Sequence, residues 1–268
     1  MSSHSTEFPF LPPSGSSPTF LRRCIDSQVR LSAAFDRLIP AELTVDGNQE
    51  FKRHLVPAHL RKAWLVYDVG GGKHPSVALD RKQELGLRIV GLDISTAELK
   101  SAPPGSYDEE ICADVTRYRG RADGDLVISD ALLEHVSDTG AALRAIASVL
   151  KPGGLALLFI PSRYALYAVL NLLLPQTWKR WLLFRIFPGS EAAQGFRAFY
   201  DRCTPREVAG LARENGMAVE ALMTYYHSPY FTCSFPLHAL WRMWQLLFRR
   251  IAGDQAAETF SVVLRKIG

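Results

Sequence analysis

The spacing of apolar residues along the chain changes near residue 63. Before this point, apolar side chains recur every three or four residues from Phe20 to Arg37, and a second stretch of this kind runs from Gln49 to Arg61. That period is typical of amphipathic helices, so we predict two N-terminal helices. Residues 1–19 are rich in Ser and Pro, which favours a disordered or loosely packed tail.

After residue 63, short apolar runs alternate with segments of helical spacing. The runs read AWLVYDV, LRIVGLDI, EEICADV, GDLVISD and GLALLFIP. Helical segments are predicted between them, over residues 76–85, 95–100 and 140–150. This alternation predicts an α/β fold with a parallel sheet covered by helices on both faces. Ligands of such sheets bind outside the carboxyl ends of the strands.

The composition is that of an ordinary globular chain. Its 268 residues are 47% hydrophobic and 22% charged, which suffices for a sizeable core. The net charge of +4 is small and no Lys/Arg-rich run occurs, so we expect no nucleic-acid partner. The N-terminus lacks the basic and apolar regions of a signal peptide, and no apolar run reaches the roughly 18 residues of a membrane span.

The four cysteines are far apart and form no C-x-x-C pair. We interpret them as reduced thiols that pack as small buried hydrophobic residues in a cytoplasmic protein.

Three consecutive glycines, Gly70, Gly71 and Gly72, follow the first predicted strand. Gly inside an element costs roughly 0.5–1 kcal/mol relative to Ala, so this turn requires bare backbone. Pro75 suits the first turn of a following helix, whose unpaired N–H groups would face the same crevice. Asp93 ends the next strand, where a carboxylate can accept both hydroxyls of a ribose. The pattern favours a site for a nucleoside-containing cofactor over a purely structural turn.

Five motifs occur in order: LVYDVGGG, GLDIS, ADV, DLVISDALLEHV and VLKPGGLALLFIPS. Together they resemble the motifs of class I S-adenosylmethionine-dependent methyltransferases, of the small-molecule, type 11-like group. The resemblance covers residues 65–162 and continues more weakly through TPREVAGLARENGMAVE to ETFSVVLRKI. It implies a Rossmann-like, doubly wound, mostly parallel seven-stranded sheet with an antiparallel last strand, a helical N-terminal extension and hydrophobic lid insertions.

The resemblance also implies which residues bind S-adenosylmethionine. The first motif would hold the methionine part, the two aspartates that follow would take the ribose hydroxyls and the adenine amine, and the fourth strand would end under the sulfonium. His74 replaces the third Gly of the family's loop and either reaches the cofactor's carboxylate or enters the helix. The implied residues are Asp68, Gly70, Gly71, Gly72, His74, Asp93, Ile94, Asp114, Val115 and Ser129. For Asp114, a helix cap before TRY is the structural alternative.

The segment DALLEHVSD offers Asp130, Glu134 and His135 at the mouth of the crevice. Histidine has the intrinsic pKa of a base that works near neutrality, so His135 is the candidate general base, with a structural role as the alternative. Some similar methyltransferases bind a divalent metal through E-x-x-E-H. Here the first Glu position is Ala131, so we predict no metal.

Two acid-free segments lie between Asp138 and Glu191 and between Ala221 and Gly253. They contain four of the five tryptophans together with several cations, namely Trp178, Lys179, Arg180, Trp181, Trp241, Arg242, Trp244, Arg249 and Arg250. Two interpretations stay open: helices packed as a lid over the active site, or contact with a membrane surface.

Between these segments, Thr204, Pro205 and Glu207 predict a helix start with a capping box. Tyr200 and Arg202 precede it, and they either face the substrate or pin the loop.

We therefore predict one methyltransferase domain over residues 20–268, with N-terminal helices over 20–62 and lid segments at 163–203 and 227–256. It would methylate an oxygen, nitrogen or carbon of a small apolar or amphipathic molecule, either free in the cytoplasm or at a membrane surface. The alternatives are a nicotinamide-dependent oxidoreductase and a non-catalytic, cofactor-binding, membrane-associated protein. A dinucleotide loop would carry Gly at the position of Pro75, which argues against the oxidoreductase.

Overall fold

The structure, a computed structural model, describes residues 20–173 and 197–268. Its strands are β1 Leu65–Val69, β2 Arg88–Asp93, β3 Glu109–Cys112, β4 Gly124–Asp130, β5 Leu150–Pro161, β6 Met217–Tyr225 and β7 Thr259–Lys266. Its helices are α1 Phe20–Asp36, α2 Gly47–Glu50, α3 Val56–His59, α4 Leu79–Leu85, α5 Thr96–Lys100, α6 Thr139–Val149, α7 Leu166–Leu173, α8 Pro205–Glu214 and α9 Phe235–Ala252. A π-helical turn, Phe51–Leu55, joins α2 to α3.

The seven strands form one sheet in the order β3-β2-β1-β4-β5-β7-β6. Pairs among β1 to β5 are parallel, whereas β7 runs antiparallel to both β5 and β6. The mostly parallel sheet with an antiparallel last strand is therefore confirmed. Because β6 is parallel to β5, the carboxyl ends of β1, β2, β4, β5 and β6 all lie at one edge of the sheet.

Side chains of alternating strand residues contribute to two hydrophobic cores, one on each face of the sheet. On one face, Tyr67 and Val69 pack with buried side chains of α6 and α8. On the other face, Val66 packs with Phe51 and Val56, which come from the N-terminal helical region. The N-terminal segment thus belongs to the same packed unit as the sheet.

The helix after the glycine turn begins later than predicted. It starts at Leu79, not at Ser76, and Pro75 lies in the preceding loop. Both the backbone N–H and the hydroxyl of Ser76 donate to the Asp68 carboxylate at 2.7 Å. These bonds hold the loop against the end of β1, so the helix cannot begin there.

The predicted start of α8 is confirmed. Thr204 is the N-cap, its hydroxyl oxygen accepts from the Glu207 N–H at 3.3 Å, and Pro205 occupies the first turn. The Glu207 carboxylate accepts from the Thr204 hydroxyl at 2.7 Å. In the usual capping box it would accept from the backbone N–H of the N-cap residue instead.

One prediction about side-chain burial is wrong. Cys24, Cys112 and Cys233 are exposed free thiols, so only Cys203 behaves as a buried hydrophobic residue. Of the two interpretations left open for Trp241 and Arg242, packing and membrane contact, their exposed fractions of 1% and 0% favour packing. Both belong to α9 and pack into a cluster of polar side chains on its inward face.

Trp178, Lys179, Arg180 and Trp181 lie outside the described residues. Within the described ranges, no helix is long and apolar enough to cross a membrane.

Candidate functional site

The glycine turn after β1 is shaped by close packing as well as by backbone conformation. Gly70 has a φ of +80°, a value that favours glycine, and its N–H donates to the Leu92 carbonyl at 2.8 Å. A Cβ on Gly71 would lie 2.5 Å from a carboxylate oxygen of Asp68. The turn therefore needs glycine for the chain's own packing, in addition to any room that it leaves for a ligand.

Asp68 holds this turn in place from beneath. Its side chain is 1% exposed and accepts both bonds from Ser76 described above. Tyr107 donates to the Gly72 carbonyl at 3.0 Å and lies 3.4 Å from the same carboxylate. Burial raises the pKa of Asp68 to about 6. Tyr107 is a site residue that the sequence reasoning missed, since it lies between motifs and carries no local signal.

A cavity of about 390 Å³ opens at the carboxyl edge of the sheet. Its volume lies within the range of small-molecule sites. Strand ends, the turn after β3, the 3₁₀ turn after β4 and the loop before α8 line it: Val69, Gly70, Leu92, Asp93, Ile94, Ala113, Asp114, Val115, Thr116, Ala131, Leu132, His135, Val136, Ser137 and Phe199. Six of the residues predicted from the sequence are brought together here: Gly70, Asp93, Ile94, Asp114, Val115 and His135.

The other predicted residues stand outside this lining. Asp68 and Ser129 are buried behind it, in β1 and β4. Gly71, Gly72 and His74 lie further along the glycine turn. In the described part of the lid segments, Phe199 from 163–203 reaches the cavity, whereas no lining residue comes from 227–256.

Asp93 ends β2 at the cavity wall, as the strand-end argument predicts. Its Oδ1 accepts from the Ser95 N–H at 2.9 Å, which fixes the carboxylate, and burial raises its pKa. Next to it, Ile94 is 59% exposed, an unusual exposure for a large apolar side chain. A carboxylate beside an exposed apolar side chain suits the polar ribose and flat base of a nucleoside. A Cβ on Gly72 would approach the Asp93 carboxylate to 3.2 Å.

Asp114 follows β3 and closes a tight turn. Its Oδ1 accepts from the Thr116 N–H at 2.9 Å and from the Thr116 hydroxyl at 2.7 Å. Residues 115–117 form a turn and not a helix, so the helix-cap alternative does not apply in that form. Asp114 still lines the cavity, as Asp93 does.

His135 lies in the 3₁₀ turn Leu133–His135 and borders the cavity. Its Nδ1 is 3.2 Å from the Arg197 carbonyl oxygen, so Nδ1 carries the proton of that bond in the neutral ring. Nε2 is then the basic nitrogen, 3.8 Å from Oε1 of Glu134. This tautomer is the one that a general base at Nε2 requires.

Two carboxylates lie behind His135. Glu134 is 4% exposed, and burial, with the nearby charge of Asp130, raises its pKa to about 8. Its Oε2 and the Oδ1 of Asp130 are buried and make no hydrogen bond within the described chain. Lys52 forms an ion pair with the other Asp130 oxygen at 2.9 Å. The sequence reasoning missed Lys52, which reaches the end of β4 only because the N-terminal helices pack against this edge.

The backbone between β4 and His135 is strained. Ala131 has a φ of +53°, which is unfavourable for a residue with a Cβ, and its N–H donates to the Phe159 carbonyl at 3.0 Å. Strain of this kind persists where the surrounding structure holds it, commonly at functional sites. Phe199 also lines the cavity, and its N–H donates to the Glu134 carbonyl at 2.7 Å, which ties this segment to the loop before α8.

Tyr200 and Arg202 take part in fixing the loop before α8. The Tyr200 side chain is 4% exposed, and its N–H donates to the Glu134 carbonyl at 3.0 Å. Arg202 forms ion pairs with Asp138 at 3.3 Å and with Asp201 at 3.5 Å. Neither residue lines the cavity, so these contacts favour the loop-pinning interpretation of both.

Residues 67–158 match a family model described as a methyltransferase domain. Curated relatives include ubiquinone biosynthesis O-methyltransferases. The one from Cupriavidus pinatubonensis is 31% identical over 130 residues, covering 41% of this chain and 50% of the relative. The one from Thiobacillus denitrificans is 28% identical over 203 residues, covering 67% of this chain and 81% of the relative. The chain spans about half the length of several of these relatives.

Among solved structures, an S-adenosylmethionine-dependent methyltransferase from Mesorhizobium loti has a TM-score of 0.54 at 16% identity, covering 82% of this chain and 100% of that one. A putative methyltransferase from Haloferax volcanii, in complex with a methyltransferase activator, has a TM-score of 0.55 at 14% identity, covering 95% and 100%. These two likenesses show the fold. The family match agrees, over residues 67–158, with the methyltransferase family that the motifs indicate.

Proposed function

We propose that this chain, which carries a class I S-adenosylmethionine-dependent methyltransferase domain, transfers a methyl group from S-adenosylmethionine to an oxygen of a lipophilic small molecule. One observation carries the proposal. The residues suited to a nucleoside, Asp93, Ile94 and Asp114, line the same cavity as His135, the candidate base. A cofactor site and a proton acceptor at one cavity are what methyl transfer to a hydroxyl requires.

Four residues of the chain would bind the cofactor or accept the proton. Asp93 would accept hydrogen bonds from the ribose hydroxyls, Ile94 would cover one face of the base, and Asp114 would accept from its exocyclic amine. The bound cofactor supplies the methyl group on a sulfonium, which reacts by in-line displacement. His135 would take the acceptor's proton at Nε2 while its Nδ1–H stays bonded to the Arg197 carbonyl.

The acceptor class rests on two supports. The matched relatives are named O-methyltransferases of ubiquinone biosynthesis, which favours oxygen over nitrogen or carbon. The cavity wall near His135 is mainly apolar, with Leu132, Val136 and Phe199 among its lining residues. We propose a small apolar or amphipathic substrate, and a protein that meets it at the surface of a membrane.

The test uses Asp93→Asn, which keeps the side chain's shape and removes its charge. Charge-assisted hydrogen bonds contribute roughly 1.5–3 kcal/mol each, so calorimetry should show the affinity for S-adenosylmethionine falling by about tenfold or more. The matched control is Asp80→Asn, an exposed aspartate at the start of α4. Equal affinity in wild type and in a folded Asp93→Asn variant would contradict the assignment. Tighter binding of a nicotinamide dinucleotide than of S-adenosylmethionine would favour the oxidoreductase.

The reaction is tested with methyl-labelled S-adenosylmethionine and a solvent extract of bacterial lipids. Label should move to the organic phase with wild-type protein, and Asp93→Asn should lower its rate at limiting cofactor. If label stays with the cofactor, or moves only to polar products, the proposed substrate class is wrong.

A further inference from the structure

Helix α9 presents a row of apolar side chains to the outside of the molecule. We call this row the outer stripe; it consists of Leu237, Leu240, Met243, Trp244, Leu247 and Ile251. Their exposed fractions range from 46% at Leu237 to 75% at Ile251. They fall on one face, since most follow one another at intervals of three and four residues. Exposed apolar patches of this kind mark interaction sites far more often than single exposed residues do.

The opposite, inward face of α9 carries three buried polar side chains, His238, Arg242 and Gln245, beside the buried Trp241. Arg242 is fully buried, forms an ion pair with Asp36 of α1 at 3.0 Å, and donates to the carbonyls of Tyr226 at 2.6 Å and Leu43 at 3.0 Å. The helix is therefore inverted with respect to an ordinary surface helix, whose apolar face points to the core.

This inversion is fixed by partners on other elements. His238 lies 3.1 Å from Asp36, and the Trp241 Nε1–H donates to Glu258 at 3.2 Å. Rolling the helix to bury the outer stripe would leave the mostly buried Asp36 and the buried Glu258 without these partners. Breaking a buried ion pair by removing one member is strongly destabilising, so the fold holds the apolar side outward.

The outer stripe is carried on the same edge of the molecule as the cavity. Strand β6 ends at Tyr225 and β7 begins at Thr259, and both points lie at the carboxyl edge of the sheet. Helix α9 is inserted between them. A partner seated on this helix would therefore sit at the end of the molecule where the cavity opens.

The charges around the outer stripe indicate which partner fits. No acidic residue occurs from Ala221 to Gly253, and Arg249 and Arg250 are exposed in the last turn of α9. In a pair of identical helices these arginines would find no carboxylate on the partner helix. The helix has 18 residues, fewer than the three to four heptads of a stable coiled coil. Tryptophan and leucine beside arginine suit the boundary between hydrocarbon and anionic headgroups.

We propose that the outer stripe of α9 lies in the interface of an anionic lipid bilayer, with Arg250 of its last turn among the headgroups, whereas the guanidinium of Arg249 lies over the Tyr226 ring at 4.9 Å. This proposal deepens the membrane contact of the proposed function by naming the surface that makes it. It is tested separately from methyl transfer, because binding to vesicles is measured without substrate or cofactor. It also differs from the membrane contact predicted from composition, since Trp241 and Arg242 hold the helix in place and do not meet the lipid.

The experiment is sedimentation of the full chain with vesicles of phosphatidylcholine and phosphatidylglycerol in equal parts. Wild type should co-sediment at low salt, and less so as salt rises. The double variant Leu240→Glu with Leu247→Glu should bind at least about tenfold more weakly, since two apolar side chains no longer enter the bilayer. The matched control is Ile267→Glu, a 56% exposed residue beyond the end of β7, at the opposite edge of the sheet. It should bind like wild type.

Two further measurements make the result decisive. Trp244→Gln changes one exposed residue of the outer stripe and serves if the double variant fails to fold; it too should weaken binding. Arg250→Glu should weaken binding to anionic vesicles and flatten the salt dependence. Wild type that stays in the supernatant, or variants that bind as well as wild type, would overturn the proposal. So would an ultracentrifugation result in which wild type is a dimer without vesicles and the double variant a monomer, because the outer stripe would then bind a second copy.

Discussion

The buried Glu134 makes stability depend on pH in a direction opposite to that of a salt-bridged acid. Its pKa is raised from the ordinary value of 4.5 to about 8, mainly by burial. Between these two values the folded protein holds a proton that the unfolded chain releases. The free energy of unfolding therefore falls as pH rises, by about 1.4 kcal/mol per pH unit for one such group. Over the full window the loss is roughly 5 kcal/mol, complete once pH exceeds the folded pKa.

Glu134→Gln removes this term while keeping the shape of the side chain. Urea unfolding between pH 5 and pH 8, followed by circular dichroism, should show a shallower loss of stability in the variant than in wild type. The slope is the quantity to compare, because a buried amide adds a pH-independent cost of its own. The control Glu84→Gln changes an exposed carboxylate and should keep the wild-type slope. Equal slopes for wild type and Glu134→Gln would refute the reasoning. Burial also raises the pKa values of Asp68 to about 6 and of Glu258 to about 7, so these two groups contribute to the slope of both proteins.

Two further predictions concern the site. His135→Gln should lower the rate of methyl transfer by about 10²–10⁴-fold and leave the calorimetric affinity for S-adenosylmethionine unchanged. The control His54→Gln, at an exposed position, should change neither the rate nor the affinity. A loss of affinity that accounts for the whole loss of rate would assign His135 a structural role. Gly71→Ala should lower the free energy of unfolding by about 1–3 kcal/mol, because its Cβ would press on the Asp68 carboxylate. Gly210→Ala, where a Cβ meets nothing within 4 Å, is the control and should be neutral or slightly stabilising in thermal unfolding.

Position along the chain was enough to predict where Asp93 and Ile94 lie. Both follow the end of a parallel strand, and the ends of such strands meet at one edge whatever the details of packing. The start of α4 could not be predicted in the same way. Pro75 satisfies the local rule for a first helical turn, yet the bonds from Ser76 to Asp68 hold that stretch in a loop. A tertiary contact overrides local preference there.

Lys52 and Tyr107 show a second limit of predicting the site from the sequence. Each reaches the site from a segment with no motif of its own, Lys52 through its ion pair with Asp130 and Tyr107 through its bonds around Asp68. Only the packing of the N-terminal helices and of the loop before β3 brings these side chains near the strand ends. A pattern of residue types along one segment carries no information about such an approach.

Helix α9 shows why periodicity cannot assign the direction of a helix face. The spacing of its leucines indicates that they share a face, and an ordinary soluble helix would turn that face inward. Here Asp36 of α1 and Glu258, which precedes β7, supply mostly buried carboxylates that hold Arg242 and Trp241 inward instead. The polar contacts set the orientation, and the apolar residues are left outside by consequence. An outward apolar face is stable only where burying it would cost more than exposing it, and the ion pair beneath α9 provides that difference.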